Sequence, residues 1–321
     1  MNKWLVKIFR YEFWPMWIFY APFVTYWWWN SLKSNSLFYF CKVNPGIKFG
    51  GFTEYSKFDI LKQISPEFVP KTDFISNKTD FKNLWEFPFV VKPDIGERGV
   101  NVEVIHSVND WINYPSQENL IIQEFIDFPF EFGVFYAKMP NENSGEILSI
   151  TGKEFLQLES DGILTLRNFI AENTRAFFRK DYLLKKFENE LDIVHPKGTK
   201  ILLEPVGNHN RGTMFYDASD LISEKLTQKI NEISEGIDRF YYGRFDVKAK
   251  SIEDLKNGKF IILEINGANS EATHIYDPKY SLIQAYKEAR RHLDIQFQIA
   301  RNQPKNYSDK EFIQIILKRI F

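Results

Sequence analysis

Two strand-length runs near the C-terminus, RFDVKA (244–249) and KFIILEING (259–267), constrain the fold more than any other part of the chain. Only a short polar loop separates them. Parallel strands need a crossover of a dozen or more residues, so these two are expected to pair antiparallel. Alternate side chains leave opposite faces of a strand, which puts Glu264 and Asn266 on one face of the second run and Arg244 with Asp246 on one face of the first. Two carboxylates and an amide oxygen then converge beside a sheet. Hard oxygen donors of this kind suit Mg²⁺, which takes one or two carboxylates and fills its shell with water and nucleotide phosphates. A strand pair with its polar face in water explains the same pattern, although these acids are flanked by Ile261, Ile262, Leu263 and Ile265.

Upstream, strands again come in neighbouring pairs: FPFVVKP (87–93) with VNVEVI (100–105), then LIIQEFI (120–126) with EFGVFYAK (131–138). EILSITGKEF (146–155) and KILLEPVG (200–207) flank a helical stretch rich in Arg, Lys and Phe, and SLFYFCKV (36–43) also reads as a strand. Helical spacing marks KFDILKQI behind an N-capping Ser56, LTQKINEISEGIDRF (226–240), and the stretch from Tyr280 to Ile299, after which a short basic tail remains. Strands outnumber connecting helices, which argues α+β with antiparallel sheets and against a doubly wound parallel sheet. A chain of 321 residues buries enough apolar surface to need no disulfides, and Cys41 is its only cysteine. That fits a reducing compartment and excludes a disulfide scaffold or a thiolate zinc site. Forty-one basic against 42 acidic residues, with no long basic run, give no nucleic-acid footprint, and the five histidines show no metal-ligand spacing.

A second chemical signal is Lys92 followed by Asp94-Ile-Gly-Glu-Arg-Gly99. A glycine-containing loop exposes backbone N–H groups to phosphate oxygens, and a lysine at its base adds a point charge. Strands flank the loop on both sides, so neither Walker nor Rossmann geometry applies, and an ordinary turn accounts for two glycines equally well.

The N-terminus is aromatic. From Phe13 to Trp29 there are 17 residues without a charge, part of a chain in which 17% are Phe, Tyr or Trp. A signal peptide needs an aliphatic core and a small-residue cleavage site, and Trp27-Trp28-Trp29-Asn30 supplies neither. A transmembrane helix needs about 20 apolar residues, and Pro15 and Pro22 interrupt this shorter run. Two readings remain. The segment is an interfacial anchor, with Lys3, Lys7, Arg10 and Lys33 facing lipid phosphates at the inner face of the cell membrane, or its rings pack on the protein's own domain or across a homodimer interface.

Taken in order, FVVKPDIGERGVNVEVI, IIQEFI, GNHNRG, RFDV and FIILEING resemble the ATP-grasp superfamily of carboxylate–amine ligases, in particular its D-alanine–D-alanine-ligase and glutamate-ligase-like members. The resemblance runs from about Ser56 to His274. It implies an ATP-grasp fold: two α+β lobes clamping ATP (81–126 and 127–300), after an aromatic segment (1–32) and a short preceding domain (33–80), with 301–321 as the tail. It further implies that Lys57 and Lys92 hold the α- and β-phosphates and that Gly96 and Gly99 let the hairpin close over them. Gln123, Glu124, Phe125 and Ile126 would form the hinge that reads adenine, Glu131 would bind the ribose, and Lys153 would join the nucleotide contacts. Asn208 and Arg211 would face the γ-phosphate. Asp246, Glu264 and Asn266 would bind two Mg²⁺ ions, and Arg244 would steady an acyl phosphate. Glu271 and His274, in SEATHIYDP, are placed to face the acceptor, His274 as a proton acceptor or merely as a packing residue. Phe130 stands where many members have glycine, and the preceding domain is short, so the substrate is the least legible part.

The implied reaction is ATP- and Mg²⁺-dependent joining of a small-molecule or lipid-borne carboxylate to an amine or other nucleophile, in a cytoplasmic protein. Rival readings are an ATP-grasp kinase, a non-catalytic nucleotide-binding protein, and a structural membrane-surface protein.

Overall fold

Four strands, β1 (Thr72–Asn77), β2 (Phe89–Pro93), β3 (Glu103–Ile105) and β4 (Glu118–Glu124), form an antiparallel sheet in the order β1-β4-β2-β3. The computed structural model describes residues 10–320, apart from 82–84, 97–98, 116–117, 205–206 and 208–211. Phe89, Val91, Ile105, Leu120 and Ile122 pack with Trp111 and Tyr114 beneath this sheet. The edge strand β1 reads TDFISN, with four of its six residues exposed, so it lacks the apolar run that marks the inner strands. It lies ahead of residue 81, in the stretch taken from the sequence as a preceding domain.

The second sheet is larger. After β5 (Phe130–Ala137) and β6 (Glu146–Glu154), the chain leaves it to form a two-stranded ribbon, β7 (Gln157–Glu159) with β8 (Lys200–Leu202). Among the described residues, KILLEPVG therefore contributes three residues of strand. Leu158, Leu166, Ile170, Leu183 and Leu203 join this ribbon to the helices between 166 and 186 in a core of their own. The chain returns as β9 (Met214–Asp217), β10 (Tyr242–Ala249) and β11 (Ile261–Asn266), giving an antiparallel sheet in the order β11-β10-β5-β6-β9. The polar loop expected between β10 and β11 contains a helical turn, Ile252–Lys256. Ser251 caps its start, the hydroxyl accepting from Asp254 N.

Strand periodicity divides this sheet between core and cleft. In β10, Phe245, Val247 and Ala249 are buried, whereas Arg244, Asp246 and Lys248 leave the opposite face. The apolar face packs on the helix Glu224–Glu235 through Leu226, Ile230 and Ile233, spaced at one helical stripe. The other face is covered at one end by the helix Leu282–Arg301 and the N-terminal segment, and is open at the other end.

The N-terminal rings divide in the same way. Pro15 N-caps the helix Met16–Tyr20, and Pro22 sits in the first turn of the 3₁₀ segment Ala21–Phe23, so each proline starts an element where its missing N–H is harmless. A longer helix, Val24–Lys33, follows. Phe19 is fully buried among Tyr11, Tyr276 and Tyr286. The Tyr11 hydroxyl donates to Ile275 O at 2.8 Å, Tyr26 donates to Asp294, and the Arg290 guanidinium lies 3.5 Å from the Tyr26 ring centre. Val24, Trp28 and Leu32, four residues apart, share an exposed helix face flanked by Trp29. Among the described residues, no helix is long and apolar enough to cross a membrane.

Two local readings need correction. SLFYFCKV is a 3₁₀ turn (Tyr39–Lys42), not a strand, because its aromatic side chains must point several ways at once. Phe38 and Phe40 meet Phe312, while Tyr39 meets Phe297. Nor is the C-terminus a bare tail: Asp309–Ile320 is a helix, and Phe312 is buried with Cys41 and Phe49. Gly51, at φ +80°, passes so close to Gly267 that a Cβ would lie 2.7 Å from that residue's Cα. This close crossing seats the end of β11, and Ala268 N donates to Gly50 O at 2.9 Å.

Candidate active site

A cleft of about 630 Å³ opens between the two sheets. The smaller sheet contributes Val90, Lys92 and Gln123, and the larger contributes Arg244, Asp246, Lys248, Glu264 and Asn266. Antiparallel register places these last residues: Asp246 lies opposite Glu264, and Arg244 opposite Asn266.

Asp246 is the electrostatic centre. Arg244 grips both of its oxygens, Nε to Oδ1 at 2.9 Å and Nη2 to Oδ2 at 3.1 Å. Lys153 Nζ lies 3.3 Å from Oδ1, and Asn266 Nδ2 donates to Oδ2 at 3.0 Å. Burial alone would raise this carboxyl's pKa, but Arg244 and Lys153 outweigh it and hold it at about 2. Burial likewise opposes the charge on Arg244 and Lys153, yet Asp246 raises both, helped at Lys153 by Glu131, whose Oε1 is 2.7 Å away. Gly133 lies opposite Asp246 in β5, and a Cβ there would meet Arg244 Cδ at 2.9 Å. The glycine leaves room for the ion pair to lie flat on the sheet.

The lysine-led hairpin meets this face from the other side. Lys92 is buried, and its ammonium donates to Gln123 Oε1 at 3.1 Å and to Leu263 O at 3.0 Å. Burial lowers its pKa, and Glu264 partly offsets that. Lys57 stands beside it because Ser56 caps the helix Lys57–Leu61, while Asp94 Oδ1 accepts from both Ser56 Oγ and Phe58 N. Lys57 Nζ donates to Gly96 O and lies 4.0 Å from Glu264 Oε1. Lys57, Lys92, Gly96, Gly99 and Glu264 thus border one small space.

The remaining residues singled out in the sequence sort clearly. Gln123, Glu124, Phe125, Ile126, Glu131, Lys153 and Glu271 all line the cleft. Asn208 and Arg211 lie outside the described residues. His274 does not face the cleft. It is 2% exposed, with Nε2 3.7 Å from Glu288 and its ring 5.7 Å from that of His292, because the 3₁₀ turn Thr273–Tyr276 rotates it into the interior. Glu271 is held instead by tyrosines: Tyr276 OH donates to Oε1 at 2.6 Å, Tyr20 hydrogen-bonds the same carboxylate, and Glu271 O accepts from Arg244 Nη1 at 3.0 Å.

Several lining residues escaped sequence reasoning. Lys248, two residues beyond Asp246 on the same strand face, donates to Ile126 O at 2.8 Å and brings a second ammonium to the hinge; burial lowers its pKa. Its signal was the alternation already used for Arg244 and Asp246. Gly133 had no sequence signal. Trp14, Pro15, Met16 and Trp17 of the N-terminal segment also line the cleft, and no local pattern pointed there.

The donor set fits a hard divalent cation. Asp246 is ionised, Glu264 is a quarter exposed towards the cleft, and Asn266 shares their face. Arg244 and Lys153 now occupy the oxygens of Asp246, so a cation entering there would share that carboxylate with them.

Two antiparallel sheets facing a cleft, with the hairpin on one and the acidic pair on the other, are the arrangement the ATP-grasp resemblance implied. No family model matches the chain, and no curated protein matches it. Solved structures do. A D-alanine–D-alanine ligase from Bacillus anthracis is 14% identical over 76% of this chain and 66% of its own, with a TM-score of 0.43. A bifunctional glutathione synthetase from Pasteurella multocida is 13% identical over 73% of this chain and 36% of its own, at 0.40. An N5-carboxyaminoimidazole ribonucleotide synthetase from Thermotoga maritima is 15% identical over 79% of this chain and 50% of its own, at 0.38. The chain therefore spans between 36% and 66% of those chains' lengths. Likeness at this level carries no weight for chemistry, and what the cleft does follows from its own side chains.

Proposed function

We propose that the cleft binds ATP and activates a carboxylate for attack by an amine or another nucleophile. One observation carries this reading: two lysines beside a glycine hairpin face Glu264 across a single small space, Lys57 Nζ lying 4.0 Å from Glu264 Oε1, and Asp246 lies opposite Glu264 on the neighbouring strand. Cations and acids kept together in a cleft suit a ligand that is itself a polyanion carrying a divalent cation.

In this reading Lys57 and Lys92 bind the phosphates, while backbone N–H groups of the hairpin close over them. Gln123 to Ile126, with Lys248, line the pocket for the base, and Glu131 takes the ribose. Asp246, Glu264 and Asn266 would hold Mg²⁺, which supplies charge neutralisation at the phosphates. A carboxylate oxygen of the substrate attacks the γ-phosphorus, the bond to the β-phosphate oxygen breaks, and ADP leaves with that electron pair. Lys92 offsets the charge developing on the transferred group. The nucleophile then attacks the acyl carbon, inorganic phosphate departs, and the amine's proton passes to the phosphate or to solvent. Arg244 steadies the acyl phosphate, and Glu271, fixed by its two tyrosines, orients the incoming amine. Of Glu271 and His274, both expected on the acceptor side, Glu271 keeps that place.

The exposed face of Val24, Trp28, Trp29 and Leu32, with Lys33 Nζ 5.1 Å from the Trp29 ring centre, supports contact with a lipid surface. Release of ADP should be screened with Mg²⁺ and pools of amino acids, peptides and amine-bearing lipids. Carboxylate ¹⁸O should appear in the released phosphate. A phosphorylated product in place of free phosphate would make the protein a kinase, and absence of ADP with every pool would sink the enzymatic reading.

A further inference from the structure

The aromatic N-terminus does more than pack. Glu12, Trp14, Pro15, Met16 and Trp17 form one wall of the cleft, and they form it at the end away from the hinge. Three tethers fix that position. Tyr11 OH donates to Ile275 O and Tyr280 O, Tyr20 hydrogen-bonds Glu271, and the buried Glu12 carboxylate pairs with Arg175. The segment therefore sits against 271–280, the same stretch that presents Glu271 and Tyr276 to the cleft. Phe19, fully buried behind it, makes the wall part of the core rather than a closing lid.

One cavity thus has charged groups, Arg244 and Glu271, beside an apolar wall of Trp14, Pro15, Met16 and Trp17. A small, wholly polar substrate would leave those rings against water. We propose that this end of the cleft is a subsite for an amphiphile: a carboxylate or amine whose reacting end meets Arg244 and Glu271 and whose acyl or aryl body lies on Trp14 to Trp17. Trp17, 74% exposed, stands at the mouth, so the body can extend out of the cleft. The proposal rests on the ligase reading and names the chemistry of its substrate.

Calorimetry on the full chain with Mg²⁺ and the non-hydrolysable analogue AMP-PNP tests it, with N-acetylglycine and monomeric N-decanoylglycine as probes. The decanoyl probe should bind tighter by about tenfold or more, which burial of only two of its methylenes provides. Trp17→Ala, a change at an exposed side chain, and the double variant Trp14→Ala/Trp17→Ala should erase most of that preference without altering AMP-PNP binding. No preference in the wild type, or an equal preference in the variants, overturns the subsite. Failure of AMP-PNP itself to bind overturns the ligase reading instead, so the two failures are separable. A second arm identifies the source. Displacement of the decanoyl probe by anionic phosphatidylglycerol vesicles carrying N-palmitoylglycine, but not by plain vesicles, upholds the subsite with a bilayer-borne substrate. Absence of displacement, with the chain-length preference intact, upholds it with a free amphiphile.

Discussion

Replacing Asp246 by Asn gives opposite results under two pictures of the site. In a metal site built of mutually repelling acids, removing one charge stabilises the metal-free protein. Here Asp246 is gripped by Arg244, Lys153 and Asn266 instead, and its pKa is held at about 2 against an ordinary 3.8. At about 1.4 kcal/mol per unit, that depression corresponds to roughly 2 kcal/mol of stability. The folded pKa lies below the unfolded one, so the contribution is complete above about pH 4 and is lost as pH falls through 2. Asp246→Asn keeps the shape but takes from buried Arg244 its two-pronged partner and leaves Lys153 with Glu131 alone. It should lower the urea-unfolding free energy at pH 7 by about 2–3 kcal/mol, and the gap should narrow as pH falls from 4 to 2. A variant as stable as the wild type at pH 7, or more stable, would show that the cations do not hold this carboxylate.

Three further outcomes are expected. Under the proposed function, Glu264→Gln removes the charge of a proposed metal ligand at nearly constant volume and should abolish Mg²⁺-dependent ADP release; activity within about threefold, ~0.7 kcal/mol in barrier, would remove Glu264 from the proposed metal site. Gly133→Ala puts a Cβ 2.9 Å from Arg244 Cδ and should cut ADP release by about tenfold or more, at a cost in stability of about 1–3 kcal/mol, and unchanged kinetics would mean that Arg244 can move aside freely. Burial beside His274 and Arg291 lowers the His292 pKa to about 3, so protons bind the unfolded chain first and stability is lost as pH falls below about 6.5. The wild type should lose about 2 kcal/mol between pH 6.5 and 5, before Glu288 and the other carboxylates titrate, and His292→Leu should lose distinctly less.

The sequence made the site legible wherever a period of two and a polar residue coincided. Alternation puts Arg244 with Asp246 on one face of their strand and Glu264 with Asn266 on one face of theirs, and the register, Asp246 opposite Glu264, makes the two faces one. Lys57 and Lys92 are read less directly: their separation along the chain says nothing, and Asp94 joins them by accepting from Ser56, Phe58 and the Lys57 backbone N–H. His274 could be read as a proton acceptor or as a packing residue, and its burial gives the second; a turn, unlike a strand, does not announce which way its side chains point. The N-terminal rings posed a different problem. Hydrophobic composition shows that they must be covered or used, but whether by lipid, by a second chain or by the fold is decided by partners such as Ile275, Asp294 and Arg175, some 160 to 270 positions away. The helix Asp309–Ile320 was overlooked for the same reason, since its buried anchor, Phe312, meets residues near the other end of the chain.

In the proposed function this cleft holds a nucleoside triphosphate between the Lys92 hairpin and the acidic face of β10 and β11. Calorimetric titration of the full chain with AMP-PNP tests it most directly. Binding should need Mg²⁺ and vanish with EDTA. Lys92→Met, which keeps the buried stem but removes the ammonium, should weaken it by about tenfold to a hundredfold, the range for a lost hydrogen bond to a charged group. Absence of binding by the wild type, or equal affinity in Lys92→Met with no dependence on Mg²⁺, would contradict the account.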